Sequence, residues 1–551
     1  MAGKIWGSNN EPLKIQFITD THYYSRKGGD HGAAYDKAES KSQKVIKDTD
    51  LVIKKGFDML CEDNSTDIVV LSGDTTKDGE IESHKEFIEM LRDLKKRGKR
   101  VYVITSTHDF KEGGKAEGYD GDKTVTVPAV ENIHDLWDMY YEFGPNEAIA
   151  SYEPSLCYVV QLAPGYRLFA LNDDKNGNPD APGSGYSEEC KKWILEQLED
   201  ARKNDQFVIA MTHHPMIAPS PFYAIIGKGD MQRGCEDTRE IFADNGISCM
   251  LSGHTHIHDI SYTVSKKGNV FYDVSCGSLI GCPPVMRTVT LDPRAGEIRV
   301  EVPGLDTAGK PFDEYMKGFF FGMIGEVIWA MGNDINRLAE LTPAFSIPGE
   351  KVKKLAWLIK PIGKWLNKLT IKKVWRLCKK ESGLKKSDIA DIANNKVVDF
   401  ILELVQNLYC GDSPYGPETR EYKITCAFLN VIDSFLNTIG FKLGKVLHGA
   451  TTARALVEPL LWNNGICDEK ATLKLYPLND GGEKATEPKD FYTHFEDPVK
   501  KSKKGPLVLL ILILCVILLL AIIAGVIALV VWAVIAIVHA VTGSIALGLL
   551  L

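Results

Sequence analysis

Cysteine is present in this 551-residue chain without any pattern. Its 12 cysteines form no C-x-x-C pair and follow no regular spacing, which argues against a disulfide framework and predicts reduced thiols in a reducing compartment. The first ten residues lack the apolar core of a signal peptide, so nothing in them indicates export. No internal repeat is found, and a repeat architecture is therefore not indicated.

Five short apolar runs are each followed by polar residues that can bind metals. The runs span 13–19, 67–72, 100–105, 206–212 and 247–252 and are rich in Val, Ile, Phe or Met. They are short enough to be buried strands. Between them, apolar residues recur three and four positions apart in segments 42–62, 80–98 and 187–204, as in amphipathic helices. Strands that alternate with such helices predict an α/β architecture.

The fragments that follow the five runs carry carboxylates and imidazoles. They are D-T-H at 20–22, G-D at 73–74, S-T-H-D at 106–109, H-H-P at 213–215 and G-H-T-H at 253–256. Open α/β folds bind ligands at strand ends, so one rim of a sheet is expected to gather these groups. Two close cations polarise a phosphoryl group and activate a water. The pattern indicates a two-metal hydrolase site, in which Asp74 can bridge because each carboxylate oxygen can bind one ion.

In order and composition these fragments resemble the calcineurin-like metallophosphoesterase family, whose pattern is D-x-H, G-D, G-N-H-D, a His before a Pro-containing turn, and G-H-x-H. The resemblance covers residues 12–303 and implies a sandwich of two mixed sheets flanked by helices. It implies one metal held by Asp20, His22 and His256, a second held by His213 and His254, and Asp74 bridging. The implied cofactor is two divalent or trivalent ions (Mn, Fe or Zn), and the implied substrate is a phosphomonoester or phosphodiester.

One fragment departs from the family pattern. Where the family has Gly-Asn, this chain has Ser106 and Thr107. The family Asn gives its amide oxygen to the second metal, and a Thr hydroxyl is a shorter and poorer ligand. Thr107 is therefore a candidate ligand of a weakly held second ion. The resemblance also implies that His108 contacts the phosphate or protonates the leaving oxygen, and that Asp109 fixes its imidazole.

Several other residues near these fragments have open roles. His214 could replace His213 as the ligand, although the first His matches the family position. For His84, His258, Tyr23 and Tyr24, a packing or surface role is favoured over a substrate contact. The segment 111–128, rich in Gly, Asp and Lys, is expected to be part of a lid or a surface loop.

The C-terminal segment 507–551 contains no Asp, Glu, Lys or Arg. It far exceeds the roughly 20 residues that a helix needs to span a bilayer, so it predicts a transmembrane anchor. One span is favoured over two because no polar turn interrupts the segment. A polar and basic linker at 479–504 precedes it. Since basic flanks remain in the cytosol, the catalytic part is expected to face the cytoplasm.

Residues 307–476 are predicted to form a mostly helical accessory region. Its apolar segments 319–331, 397–408 and 424–443 are predicted to be packed helices. The stretch 351–386 contains 13 Lys or Arg residues and one acid, a net charge of +12, within a chain whose formal total is −8. Three tryptophans interleave with these cations, which favours contact with anionic lipid headgroups over a solvated face packed on the enzyme. Nucleic acid is a weaker alternative, because no recognised nucleic-acid motif accompanies the charge.

Together these patterns predict a membrane-anchored metallophosphoesterase that faces the cytosol. Two other classes remain open. One is a catalytically weak metal-binding scaffold, which Thr107 suggests. The other is a membrane interaction protein in which the basic helices matter most.

Overall fold

The protein folds around two β-sheets that pack face to face. The computed structural model describes residues 4–39, 44, 46–174, 184–220, 223, 230–281, 283–303, 312–342, 348–411, 413–438, 452–462 and 466–479. Within these ranges the strands are β1 (Leu13–Ile18), β2 (Ile68–Ser72), β3 (Arg100–Ile104), β4 (Lys115–Asp120), β5 (Lys123–Pro128), β6 (Ala148–Tyr152), β7 (Cys157–Ala163), β8 (Tyr166–Ala170), β9 (Phe207–Met211), β10 (Cys249–Ser252), β11 (Asp259–Val264), β12 (Val270–Ser275), β13 (Arg287–Asp292), β14 (Glu297–Glu301) and β15 (Lys470–Lys474).

The order of the strands brings the metal-binding fragments together at the carboxyl ends of the strands. One sheet has the order β15-β14-β13-β1-β2-β3, and the other has β11-β12-β10-β9-β8-β7-β6. Strands β1, β2 and β3 are parallel neighbours, and so are β9 and β10. Parallel neighbours have their carboxyl ends on the same side of the sheet, so the loops that follow them lie side by side. The predicted pair of mixed sheets with flanking helices is confirmed.

The core between the sheets explains why the apolar runs are continuous. Phe17, Met211 and Leu251 are fully buried between the two sheets, while Ile18 and Leu71 are buried on the outer face under helices. Successive side chains of a strand point to opposite faces. A strand covered on both faces therefore carries apolar residues at every position, and each buried large side chain contributes about 1.5–3 kcal/mol.

Helices cover the outer faces of both sheets, and the accessory helices pack partly against the same core and partly around a core of their own. They are α1 (Ala33–Glu39), α2 (Thr49–Glu62), α3 (Ile81–Lys96), α4 (Ile133–Met139), α5 (Glu188–Lys203), α6 (Cys235–Asp244), α7 (Phe312–Asn333), α8 (Ile335–Leu341), α9 (Gly349–Lys354), α10 (Ala356–Leu366), α11 (Ile371–Ser382), α12 (Val397–Cys410), α13 (Arg420–Thr438) and α14 (Ala453–Leu461).

The helices predicted between the first strands are present. Phe57 of α2 and Phe87 of α3 pack on the six-stranded sheet, and Ile194 of α5 packs on the seven-stranded sheet. Ser187 caps α5 by accepting a hydrogen bond from the backbone N–H of Cys190. The helix predicted over 42–62 begins at residue 49, and residues 40–43 and 45 lie outside the described residues.

Residues 115–128 of the segment 111–128 form a β-hairpin and not an irregular loop. Strands β4 and β5 pair antiparallel across it. Tyr119 of β4 is buried against Tyr24 and Tyr35, with ring centroids 6.0 and 5.4 Å away. The strands were not predicted because the many Gly, Asp and Lys residues in the segment concealed this aromatic contact, which stabilises the hairpin.

The accessory region is mostly helical but ends in a strand. After α14 the chain returns to the six-stranded sheet, where β15 pairs antiparallel with β14 and Leu473 lies opposite Ile298. The fully buried Arg287 donates a hydrogen bond to the carbonyl of Asp468 at 2.8 Å, just before β15. The short segment K-A-T-L-K has no strand signal of its own. Its conformation depends on the edge that β14 offers.

The predictions for thiols and for the membrane anchor have different outcomes. No two of the ten cysteines within the described ranges form a disulfide with each other, which agrees with reduced thiols. Across the same ranges, no helix combines the length and the apolar character needed to cross a membrane. The segment 507–551, on which the predicted anchor depends, lies outside the described residues.

Candidate metal centre

The first group of ligands comes from the loops after β1 and β10. Oδ1 of Asp20 lies 3.2 Å from Nε2 of His256 and 3.5 Å from Nε2 of His22. The two Nε2 atoms are 3.0 Å apart. All three side chains are buried, and their ligand atoms lie within 4.8 Å of one another. One ion could be held here by a carboxylate and two imidazoles, a donor set that suits Zn, Mn or Fe.

The second group lies beside the first. Oδ2 of Asp74 is 3.2 Å from Nε2 of His213, and that nitrogen is 3.2 Å from Nδ1 of His254. The three ligand atoms again fit within 4.8 Å. The same Asp74 oxygen is also 3.7 Å from Nε2 of His22 in the first group. Asp74 therefore lies between the two groups, where a bridging carboxylate has to be.

Backbone strain marks the same residues. Asp20, His22, Asp74, His254 and His256 have φ between +39° and +67°, a region that non-glycine residues rarely occupy. Backbone hydrogen bonds hold the loops in this state, including His22 N–H to the carbonyl of Asp74 at 2.9 Å. Such strain persists only where surrounding structure enforces it, and it concentrates at functional sites.

Close packing around two glycines leaves no room for larger residues. A Cβ at Gly73, where φ is +97°, would lie 2.8 Å from Nδ1 of His213. A Cβ at Gly253 would lie 2.4 Å from Oδ2 of Asp20. Gly73 and Gly253 are therefore required because metal-binding side chains occupy the space beside them.

The electrostatics of the site fit a bound cation. Oδ1 of Asp20 is buried and has no hydrogen-bond partner. Although burial alone would raise it, the imidazoles of His256 and His213 hold the pKa of Asp20 well below its ordinary value. Burial alone would lower the pKa of His213, but the carboxylates of Asp74 and Asp20 raise it to about 10. The carboxylates thus attract positive charge to this point, and a metal ion would supply it.

His108 lies at the more open side of the centre. Its side chain is 34% exposed, and its ring centroid is 4.8 Å from that of His22. Its Nδ1 is 2.5 Å from the carbonyl of Lys77 and 3.5 Å from Oδ1 of Asp78. Because a carbonyl only accepts hydrogen bonds, Nδ1 carries the proton and Nε2 is left for other contacts.

Asp109 does not contact that imidazole among the described contacts. One of its carboxylate oxygens accepts hydrogen bonds from Thr75 and Thr76, and the other accepts from the backbone N–H of Ser106 at 2.8 Å. The ring is instead held by the carbonyl of Lys77, with the carboxylate of Asp78 beside the same nitrogen. Asp109 instead ties the loop after β2 to the loop after β3, because its side chain points back into the protein.

Thr107 contacts the proposed bridging carboxylate. Its Oγ1 donates a hydrogen bond to Oδ1 of Asp74 at 3.2 Å, and the backbone N–H of His108 donates to the same oxygen at 2.9 Å. The hydroxyl is therefore adjacent to the second group of ligands, and its oxygen lone pairs remain available to a metal while its hydrogen is donated to Asp74.

Three other histidines of the described residues have structural partners or no ligand geometry. Nδ1 of His214 faces Asp173 at 3.3 Å, and its ring packs 4.1 Å from that of His254. His84 is buried between Tyr140 and the carbonyl of Asp109. His258 is buried and belongs to none of the three possible ligand groups found among the described residues. The preference for His213 over His214 as a ligand agrees with this geometry.

Three charged residues near the centre were absent from the sequence predictions. Nζ of Lys44 lies 3.0 Å from Nδ1 of His22 and 3.5 Å from Nε2 of His108, and burial lowers its pKa to about 8. Asp230 lies 3.9 Å from His254. Asp78 had one available signal, its position four residues after Asp74 in the same loop. Lys44 and Asp230 had none, because tertiary packing alone brings them here.

Comparison with known families agrees with the geometry. Residues 13–258 match the family model described as calcineurin-like phosphoesterase. The resemblance inferred from the five fragments is therefore supported over these residues. No curated protein sequence matched the chain.

Several solved structures are similar over about half of the chain. A dimetal phosphatase from Danio rerio is 12% identical, with 54% of this chain and 98% of that chain covered and a TM-score of 0.38. GAP50, the anchor in the inner membrane complex of Plasmodium, is 10% identical, with 56% and 94% covered and a TM-score of 0.28. The phosphopantetheinyl hydrolase PptH from Mycobacterium tuberculosis is 15% identical, with 48% and 89% covered and a TM-score of 0.24.

Proposed function

We propose that this protein hydrolyses a phosphomonoester or phosphodiester with two metal ions at the cytosolic face of a membrane. The observation that carries the hydrolytic part is the pair of ligand groups with Asp74 between them. The family match over residues 13–258 supports the same reaction class. Substrate choice depends on loops around the centre more than on the metal ligands themselves.

The residues of the centre would have separate roles in the reaction. Asp20, His22 and His256 would hold one ion, His213 and His254 the other, and Asp74 both, with Thr107 as a weak further ligand. When bound, such ions polarise the phosphoryl group and lower the pKa of a bound water. His108 presents Nε2 to the centre because Lys77 and Asp78 engage its other nitrogen. In its doubly protonated form His108 also carries a proton on Nε2, and we assign this proton to the leaving oxygen.

A comparison of two chromogenic substrates tests this function. Metal-dependent turnover of bis(p-nitrophenyl) phosphate and of p-nitrophenyl phosphate would be measured with the purified chain at increasing Mn²⁺. Turnover of either ester supports hydrolysis, and the ratio assigns diester or monoester preference. If two ions bind but neither ester is hydrolysed, the result favours a metal-binding scaffold. This is the second candidate function because Thr107, which stands at the family Asn position, hydrogen-bonds to Asp74.

The membrane part of the proposal is supported by charge and exposure. The segment 507–551 lacks charged side chains, and lysines at 500, 501, 503 and 504 precede it, an arrangement that retains the preceding chain on the cytosolic side. On helix α10, Trp357 (74% exposed), Lys360 and Lys364 are all exposed. Their spacing places them on one face, while Ile362 and Leu366 are buried.

Cations of the stretch 351–386 are largely available for a partner. Lys353 pairs with Glu350 at 3.4 Å. Lys360, Lys364 and Arg376 are exposed and have no ion pair with a described residue. An exposed tryptophan among unpaired cations suits the interface of an anionic bilayer, where each basic residue contributes on the order of 1 kcal/mol. We therefore propose that this face contacts anionic lipid.

Vesicle binding tests the lipid contact separately from the anchor. A chain truncated after residue 497 should bind vesicles that contain phosphatidylserine at low salt and release them as salt rises. Changing Lys360, Lys364 and Arg376 to Glu should abolish binding, and Trp357→Ala should weaken it. Glu substitutions at Lys123, Lys192 and Arg202, three exposed cations of the catalytic part, are the matched control. No binding at low salt would assign the face to solvent or to a protein partner.

A further inference from the structure

Asp230 is a buried acid beside the second ligand group. Its residue is 5% exposed, and its Oδ2 has no hydrogen-bond partner among the described residues. Its Oδ1 lies 3.9 Å from Nε2 of His254. An isolated buried carboxylate is costly unless a partner stabilises it, so its position beside His254 calls for a physical reason.

The two nitrogens of the His254 ring have different surroundings. Nδ1 lies 3.2 Å from Nε2 of His213 and belongs to the second ligand group. Nε2 faces Asp230. A metal-binding imidazole commonly donates its other N–H to a carboxylate, which fixes the tautomer and the ring orientation and increases ligand basicity. At 3.9 Å, Oδ1 of Asp230 faces Nε2 of His254 just beyond hydrogen-bond distance, so a small rotation of either side chain would complete this arrangement.

The surroundings hold the pair in place and bury most of it. The ring of His214 packs 4.1 Å from the His254 ring, and Asp173 in turn holds His214. On the other side, Tyr223 and Tyr409 share a hydrogen bond, and the pKa of Tyr223 is raised by burial, then by Tyr409, and then by the charge of Asp230. Tyr409 belongs to α12, so the accessory region forms part of the wall beside Asp230.

We propose that Asp230 is a positioning residue for His254. Its carboxylate accepts the Nε2–H of the ring and so directs the Nδ1 lone pair at the second metal site. This inference rests on the two-metal centre of the proposed function. The same contact would partly restore the affinity for the second ion that the weak Thr107 ligand lowers, since it makes the His254 imidazole more basic and better oriented.

Metal titration of the full chain in detergent tests the role, with Mn²⁺ as the probe and a chromophoric chelator as competitor. The wild type should bind two ions. Asp230→Asn should bind one ion normally and the other about 10–100-fold more weakly, and should still fill both sites at saturating Mn²⁺. Asp237→Asn, an exposed acid seven residues later on α6, is the matched control. His254→Ala, which removes the ligand itself, sets the limit for loss of the second ion.

Two results would overturn the proposal. Equal affinities in the wild type and Asp230→Asn would show that the carboxylate does not act on His254. Loss of the second ion at saturating Mn²⁺, as in His254→Ala, would make Asp230 a ligand and not a positioning residue. Asp230→Ser keeps the test available if the Asn variant does not fold. A wild type that binds no Mn²⁺ would instead contradict the proposed function itself.

Discussion

Asp74→Asn removes one negative charge from the middle of the centre with almost no change in shape. The amide oxygen can still accept from Thr107 and from the backbone N–H of His108, as Oδ1 does at 3.2 and 2.9 Å. The amide nitrogen would then replace Oδ2, which lies 3.2 Å from His213 and 3.7 Å from His22. A group that only donates hydrogen bonds would thus occupy the position between both ligand groups.

The expected loss follows from the burial of this carboxylate, which is 1% exposed. Removing one partner of a buried charge pair costs about 3–5 kcal/mol. At about 1.4 kcal/mol per tenfold change, this is a loss of about two to four powers of ten in metal affinity. Turnover should fall with it, because both ions depend on the same side chain.

The assay combines metal content after dialysis with initial rates on bis(p-nitrophenyl) phosphate over a range of Mn²⁺. Circular dichroism and thermal melting would establish that the variant folds. Asp122→Asn, on the exposed turn between β4 and β5, is the matched control and should behave like the wild type. If Asp74→Asn retained two ions and full activity, the two-metal arrangement around Asp74 would be refuted.

Three further substitutions have definite expected outcomes. His108→Ala should slow alkyl phosphates by about 10²–10⁴-fold but nitrophenyl phosphates less, with metal content kept. Equal defects would assign the ring to phosphate positioning. Thr107→Asn should raise activity at low metal, and overlapping metal titrations would show that Thr107 does not limit the second site. In Gly253→Ala the new Cβ would crowd Oδ2 of Asp20 from 2.4 Å, so metal affinity at the first group should drop at least about tenfold. Unchanged affinity would show that the loop can relax.

Much of the fold was readable from the sequence because its signals are local. An apolar run long enough for one strand, followed by Gly-Asp or Asp-x-His, reports both a buried strand and the polar loop that leaves it. The hairpin at 115–128 and the strand at 470–474 were missed, since each depends on contacts with distant residues, such as Tyr24 or β14. Local propensity does not contain those contacts.

The sequence by itself determined the chemistry of the centre: which side chains can bind metal, and that strands deliver them to one rim. Only the tertiary structure decided their neighbours. It placed Asp78 instead of Asp109 against His108, and it brought Lys44 and Asp230 to the ligands from segments without any motif. The physical reason is that residue type and spacing are properties of a short segment, whereas proximity at a site depends on how two sheets and their covering helices pack.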